Sequence, residues 1–300
     1  MFHIKALSKP VFQDLEGLKG AKVHSIFKRV INLERQGKLI SIQNPSVPKG
    51  SLSMNISEEV DFSSYSTCFR GHLDIKDNTI YLGALNFILD KPEIWEPRLK
   101  YYPEIYFRNK QKFIKTLKSI IMINGKEGGI KEDVFNVMPS VVSHNADLKY
   151  SHYNEILTKA ANYLSEKDLG GGAKEICNLI GMGIGLTPSG DDFLVGVISV
   201  LHSINSTKSE KSYVKEFYES LCAEILCNLS KTTMVSRTYL QEAVCGNFSE
   251  SFHNIYKALS EEDLEKLYEA SLNMMAVGHS SGTDGLCGIL WGFYQLDFLY

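Results

Sequence analysis

The sequence predicts an α+β fold, with a mostly antiparallel β unit over residues 1–100 and a larger helical domain over residues 101–300 that contains an internal duplication. Three observations predict it. Short β-branched and apolar stretches broken by turn residues fill the first hundred positions, and a helical period takes over near Tyr101. A glycine- and aspartate-rich segment then returns at a constant offset of 92 positions (189 to 281, 196 to 288).

In the N-terminal part, Val23 to Leu33 reads as one strand that stops at Glu34-Arg-Gln-Gly37 and restarts as Lys38-Leu-Ile-Ser-Ile42, a hairpin with glycine in its turn. Asn44-Pro45 and Pro48-Lys-Gly50 break the chain. Further extended pieces are expected at Thr67 to Phe69, His72 to Ile75 and Thr79 to Leu82, with Asp77-Asn78 as a turn.

Beyond Tyr101, Phe113, Ile114, Leu117, Ile120 and Ile121 share a helical face, as do Ile156, Leu157, Ala160, Ala161 and Leu164. Val214, Phe217, Tyr218, Leu221, Cys222, Ile225, Leu226 and Leu229 continue the pattern. Ser260-Glu-Glu-Asp263 has the form of a capping box, with Leu264, Leu267, Tyr268 and Leu272 pointing inward. Gly170-Gly-Gly172 reads as a flexible joint.

The bulk properties narrow the class. The 300 residues are 44% hydrophobic and 22% charged, with a net charge of -3, so no concentrated basic face suggests nucleic acid or an anionic membrane. The longest apolar run, Phe193 to Leu201, is too short to span a bilayer, and Met1-Phe-His-Ile-Lys5 does not open like a secretory signal. The 6 cysteines form no C-x-x-C pair, which fits reduced thiols. A cytoplasmic protein is expected.

The duplicated segment concentrates the chemistry. Gly181-Met-Gly-Ile-Gly-Leu-Thr-Pro-Ser-Gly-Asp-Asp192 precedes one apolar helix, and His279-Ser-Ser-Gly-Thr-Asp284 precedes a second. Ser189 matches Ser281, Gly190 matches Gly282, Asp192 matches Asp284 and Gly196 matches Gly288. With Ser189 and Ser281 as N-caps, the amides of Gly190 to Asp192 and Gly282 to Asp284 lack helical acceptors and favour an anion. Gly196 and Gly288 would let the two helices approach closely. Gly185, Thr187, Ser189, Gly190, Ser281, Gly282 and Thr283 are then candidate ligand-binding residues. Asp191, Asp192 and Asp284 are candidates for chemistry or for holding a hard cation such as Mg²⁺. The competing structural reading is a pair of Ser-x-x-Asp capping boxes. The three spaced glycines are not followed by a β-α-β unit, so a Rossmann site is not expected.

Between the copies, Thr232, Thr233, Ser236 and Arg237 crowd hydroxyls and one guanidinium at a helix start, suited to a carboxylate or phosphate. The alternative is that a threonine caps the helix and Arg237 is solvated. His279 is placed to move a proton or touch an anion, and His144 is a weaker candidate. Neither G-x-S-x-G nor HExxH occurs, so serine-hydrolase and zincin assignments are set aside.

At these residues the sequence resembles a bacterial family long without assigned function, the AllH family. Its marks are G-x-G-x-G-L-T-P-S-G-D-D-x-L-x-G, here Gly181 to Gly196, and a terminal S-G-x-D-x-L-x-G, here Ser281 to Gly288. Its T-x-x-x-S-x-x-x-L-x-x-A-x-x-G-x-F block stands at Thr232 to Phe248, and the hairpin with Asn32-Leu33 and Gly37 also fits. The family includes a subunit of bacterial oxamate carbamoyltransferase. The resemblance implies a part in a multi-subunit cytoplasmic complex of purine or allantoin breakdown, which interconverts oxalurate plus phosphate with oxamate plus carbamoyl phosphate. Other subunits of that complex and a small anionic substrate are the implied partners. The rival readings are a stand-alone metal-dependent hydrolase or carboxylase and a non-catalytic assembly subunit.

Overall fold

The computed structural model describes residues 1–68, 72–138, 151–204 and 212–299. His144 and its surroundings, singled out in the sequence, lie outside the described residues. The fold is α+β, an antiparallel-rich curled sheet followed by a helical region. The chain forms two compact units. One is Met1–Arg98 with Asn247–Ser251; the other is Leu99–Gly246 and the chain from Phe252 onward.

Among the described residues the first unit has nine strands: β1 (Phe2–Ser8), β2 (Lys22–Ile26), β3 (Val30–Arg35), β4 (Lys38–Gln43), β5 (Ser53–Ile56), β6 (Asp74–Lys76), β7 (Thr79–Leu82), β8 (Leu85–Ile88) and β9 (Glu93–Trp95). Their order is β2-β3-β4-β5-β1-β8-β7-β6, with β9 paired to β1. Most pairs are antiparallel; β1 runs parallel to β8 and β9, and β4 to β5. A short helix α1 (Lys9–Gln13) follows β1. Ile4, Leu7, Ile31, Leu33, Ile42, Met54, Ile56, Ile80 and Phe87 make its core. Residues 247–251 join this unit through backbone bonds from Phe248 to Pro97 and from Glu250 to Lys49, both 2.8 Å.

Two expectations need correction here. The stretch from Val23 to Leu33 is not one strand: it reverses at Phe27–Arg29, where the Phe27 N–H donates to the Val30 carbonyl. No glycine or proline marks that turn, so the apolar pattern ran through it. The extended piece at Thr67 is instead the end of a 3₁₀ helix, Phe62–Cys68. Asp61 starts it, accepting from the Ser63 N–H at 3.1 Å; local side-chain bonding of this kind competes with a sheet ladder. The Gln36-Gly37 and Asp77-Asn78 turns are as expected, with all four residues at positive φ.

The second unit holds α2 (Pro103–Asn124), α3 (Lys131–Val137), α4 (His152–Ser165), α5 (Leu169–Ile176), α6 (Ser189–Ile204), α7 (Tyr213–Asn228), α8 (Met234–Val244), α9 (Glu250–Ser260, its first two residues belonging to the sheet unit), α10 (Leu264–Met275) and α11 (Ser281–Leu299). Pro103 opens α2, where its fixed φ is favourable. The apolar faces read from the sequence in α2 and α4 are buried, apart from the half-buried Ala161. In α7, Leu226 is exposed.

Two further expectations fail for physical reasons. Gly170 to Gly172 is no joint but the first turn of α5, capped by Asp168, which accepts from the Gly171 N–H at 2.8 Å. A side chain at Gly172 would press on Leu164, so the glycine serves close packing. Ser260 ends α9 and bonds back to Lys257; Asp263 caps α10, accepting from the Lys266 N–H at 3.0 Å. The buried face of α10 is therefore Leu267, Ala270, Ser271, Met274 and Met275, while Leu264 and Tyr268 are exposed.

Helices α6 and α11 lie against each other at their glycines. A methyl group on Gly196 would sit 2.9 Å from the Gly288 Cα, and one on Gly288 would sit 2.0 Å from the Phe193 carbonyl oxygen. Backbone touches backbone there, the close approach that the repeated glycine anticipated.

Candidate functional site

The close packing brings the two helix starts together. The Thr187 and Ser281 hydroxyls are 2.8 Å apart. Ser189 and Ser281 are the first helical residues and not the caps: the carbonyls of Pro188 and Ser280 accept from the Asp192 and Asp284 N–H groups.

The glycine-rich lead has a backbone explanation. Gly181 and Gly183 hold φ of 79° and 126°, and a Cβ on either would strike backbone, the Lys231 carbonyl at 2.3 Å and the Ser189 nitrogen at 2.5 Å. Gly185, also at positive φ, has open space around its Cα. The loop bends back so that Met182 offers its carbonyl to the Gly190 N–H at 2.9 Å.

This changes the expected electrostatics. The amides of Gly190, Asp191 and Asp192 are taken by Met182 and Pro188; those of Gly282 and Asp284 are taken by Val277 and Ser280. These first-turn donors are satisfied within the chain and do not form the free anion nest that the helix ends alone suggested.

The duplication extends to what each side chain does. Gly190 and Gly282 each lie on a carbonyl of the preceding helical segment, where a Cβ would be 2.0 Å from the Leu179 oxygen and 1.8 Å from the Met274 oxygen. Asp191 and Thr283, at matching positions, hold loops. Asp191 accepts from the Gly181 N–H at 2.9 Å and from the Thr232 hydroxyl; Thr283 accepts from the Lys126 N–H at 3.0 Å. Asp192 and Asp284 also match. Asp284 Oδ1 accepts from the Ile130 N–H at 2.8 Å, but the Oδ2 atoms of both aspartates are enclosed and have no hydrogen-bond partner among the described residues. Asp284 is 0% exposed; Asp192 shows part of its surface while its Oδ2 stays covered.

Burial raises all three carboxyls above the ordinary acid range. For Asp192 the rise is large; the Ser281 and Thr187 hydroxyls oppose it, and the charges of Asp284 and Asp191 add to it. For Asp284 the Ile130 N–H and the hydroxyls of Ser280 and Ser189 work against burial, and for Asp191 the Thr232 hydroxyl, the Gly181 N–H and the Ser236 hydroxyl do so. Each helix thus sets a serine hydroxyl beside the other helix's aspartate, Ser281 with Asp192 and Ser189 with Asp284.

Thr233 caps α8, accepting from the Ser236 N–H at 3.2 Å, and donates to the Leu186 carbonyl. Arg237 is half-buried and donates from Nε to the Leu229 carbonyl at 3.1 Å, so that nitrogen is not aimed at an anion. Ser236 is 1% exposed, and its hydroxyl lies beside Asp191, whose charged form it favours. His279 is exposed, with Gly128 beside its ring.

The carboxylates do not fit a metal. Among the described residues no group of three or more His, Cys, Asp or Glu side chains is placed to hold an ion, and both Asp191 oxygens already accept from the protein. The expected Mg²⁺ set of Asp191, Asp192 and Asp284 is not assembled as ligands.

Sequence reasoning missed the Gly125–Ile130 loop, which the second helix start grips through Thr283 and Asp284. The pair Gly128-Gly129 was its available signal: a Cβ on Gly129 would lie 2.0 Å from Asp284 Oδ1. It also missed Tyr153 on α4, whose phenol is held in its neutral form by burial and by the charges of Asp284, Asp133 and Asp191. No motif marks that residue.

Fold and site together define an α+β protein in which two copies of one helix start, packed glycine to glycine, share a cluster of hydroxyls and buried carboxyls. The chain belongs to the AllH family: the family model described as oxamate carbamoyltransferase subunit AllH matches residues 179–293, and that of the AllH family N-terminal domain matches residues 4–93. No solved structure matches it. Among the described residues no helix is long and apolar enough to cross a membrane.

Proposed function

We propose that this chain is a cytoplasmic subunit of an oxamate-carbamoyltransferase-like complex and works with the other subunits of that complex. Its reaction interconverts oxalurate plus phosphate with oxamate plus carbamoyl phosphate, and the paired helix starts bind the small substrate. The observation that carries the reading is the pair of enclosed, unpartnered Oδ2 atoms on Asp192 and Asp284, at matching positions of a duplicated element. Buried polar atoms are normally paired, so two such atoms at matching positions favour a ligand that completes them.

In this reading a phosphate oxygen bonds to the carbamoyl carbon of oxalurate, the bond from that carbon to the oxamate nitrogen breaks, and the nitrogen takes a proton. Asp192 supplies that proton, because its raised pKa keeps the carboxyl protonated further up the pH scale than an exposed one. Asp284 orients the nitrogen, Asp191 positions the Gly181 loop, and the exposed His279 relays protons to solvent. Thr187, Ser189 and Ser281 line the cluster beside them. The family name supports the choice of reaction.

The test is carbamoyl phosphate formation from oxalurate and phosphate by the assembled complex carrying Asp192→Asn. A loss of about a hundredfold in kcat is expected for a missing general acid. Full activity in that variant sinks the site assignment. It would favour a non-catalytic assembly role, for which the loop bonds of Asp191, Thr283 and Asp284 already speak.

A further inference from the structure

The segments leading into the two helix starts, 176–190 and 270–283, contain no Asp, Glu, Lys or Arg in a chain that is 22% charged. Both expose apolar side chains: Ile184 is 96% exposed, Leu186 43% and Val277 38%. All three border the Thr187–Ser281 hydroxyl contact. Leu186 precedes Thr187, Ile184 lies two residues further back, and the Val277 carbonyl accepts from the Gly282 N–H at 3.2 Å. Lys126 adds charge beside them, donating from Nζ to the Gly278 carbonyl at 2.9 Å. An apolar centre poor in charge, with polar groups around it, is the anatomy of a protein interface. The apolar tip is also held in place. The Gly181 N–H donates to Asp191, the Gly190 N–H to the Met182 carbonyl and the Thr233 hydroxyl to the Leu186 carbonyl. Gly183 and Gly185, at φ of 126° and 102°, flank Ile184. The fold gains nothing from an isoleucine left in water, yet its bonds fix where that side chain points, which lowers the ordering cost of docking.

We propose that this patch, with Ile184 as its tip, docks the chain on another subunit of its complex, in a recess there that is apolar and uncharged at its middle. The inference rests on the subunit reading and not on the transferase chemistry; the family model described as an oxamate carbamoyltransferase subunit supplies the partner. The shape favours an unlike surface. A second copy meeting the patch about a twofold axis presents the same surface and sets tip against tip, whereas a side chain this far exposed fits a recess. Docking also gives the glycine-rich lead a use that its satisfied amides leave unassigned: Asp191, Gly181, Gly183 and Thr233 set the tip.

Calorimetric titration of the full chain against the remaining subunits of the complex, purified together without it, tests this. Ile184→Gln is expected to raise the Kd about tenfold or more, and Leu186→Gln to raise it in the same direction. Ile184→Gln should leave the unfolding midpoint of the lone chain unchanged, since that side chain touches little of its own fold. Leu264→Gln is the control: it alters an apolar residue that is 37% exposed at the opposite end of α10 from Val277, and it should bind as the unaltered chain does. Unchanged binding by the Ile184→Gln, Leu186→Gln double variant, equal weakening by the control, or no association of the unaltered chain overturns the proposal. So does a lone chain that sediments as a dimer and becomes monomeric with Ile184→Gln, which gives the patch to a second copy. The two readings separate cleanly. Association that Ile184→Gln weakens, in a complex making no carbamoyl phosphate, keeps the docking face and sinks the transferase. An active complex that binds the double variant normally does the reverse.

Discussion

The Cα atoms of Gly196 and Gly288 face each other so closely that a methyl group on the first would sit 2.9 Å from the second. Everything at the two helix starts depends on that approach, since it sets how near Thr187 comes to Ser281.

Gly288→Ala should therefore destabilise the helical unit. Its methyl meets the Phe193 carbonyl, which belongs to helix backbone and cannot swing aside. Overpacking of this kind costs about 1–3 kcal/mol, read as a lower thermal or urea unfolding midpoint. An unchanged midpoint would show that the helices part without cost.

Asp192→Asn should stabilise the protein at neutral pH while harming its activity. Burial raises the Asp192 pKa in the folded state well above the ordinary 3.8. The folded form therefore binds the proton more tightly, and this stabilisation is complete below the unfolded value and is lost as pH rises through the folded one. Asparagine has no such loss. Urea unfolding between acid and neutral pH should show a flatter profile for the variant, crossing to greater stability on the neutral side. Parallel profiles would contradict the burial.

Asp284→Ala and Asp284→Asn should differ. The alanine strands the buried Ile130 N–H, a loss of about 1–3 kcal/mol, whereas asparagine retains an oxygen for it. Hydrogen exchange at Ile130 should be faster in the alanine variant than in the asparagine one.

At the start of α10, Asp263→Ala should cost about 1 kcal/mol as a lost N-cap. Ser260→Ala, at the residue the sequence pattern favours, should change stability by less than about 0.5 kcal/mol. Equal effects would restore the capping box.

The Ser260 case shows where local reading runs out. Ser260-Glu-Glu-Asp263 carries two residues able to cap, and only the end of α9 at Ser260 decides between them. The Phe27–Arg29 reversal escaped notice because no glycine or proline announces it. Gly170 to Gly172 misled in the opposite sense: glycine serves close contact as readily as flexibility, and the contact partner, Leu164, lies in another helix.

The sequence by itself determined that residues 189–196 and 281–288 are one device used twice, because spacing of serine, glycine and aspartate along a helix is a local property. It also determined the α+β division and the glycine contact between the two helices. Only the tertiary structure decided which side chains are spent on loops and which stay open. Asp191 and Thr283 are taken by Gly181, Thr232 and Lys126, while Asp192 and Asp284 keep enclosed oxygens without partners. The physical reason is that a hydrogen bond needs a partner within about 3 Å, the fold places that partner from a distant part of the chain, and no periodicity encodes its position.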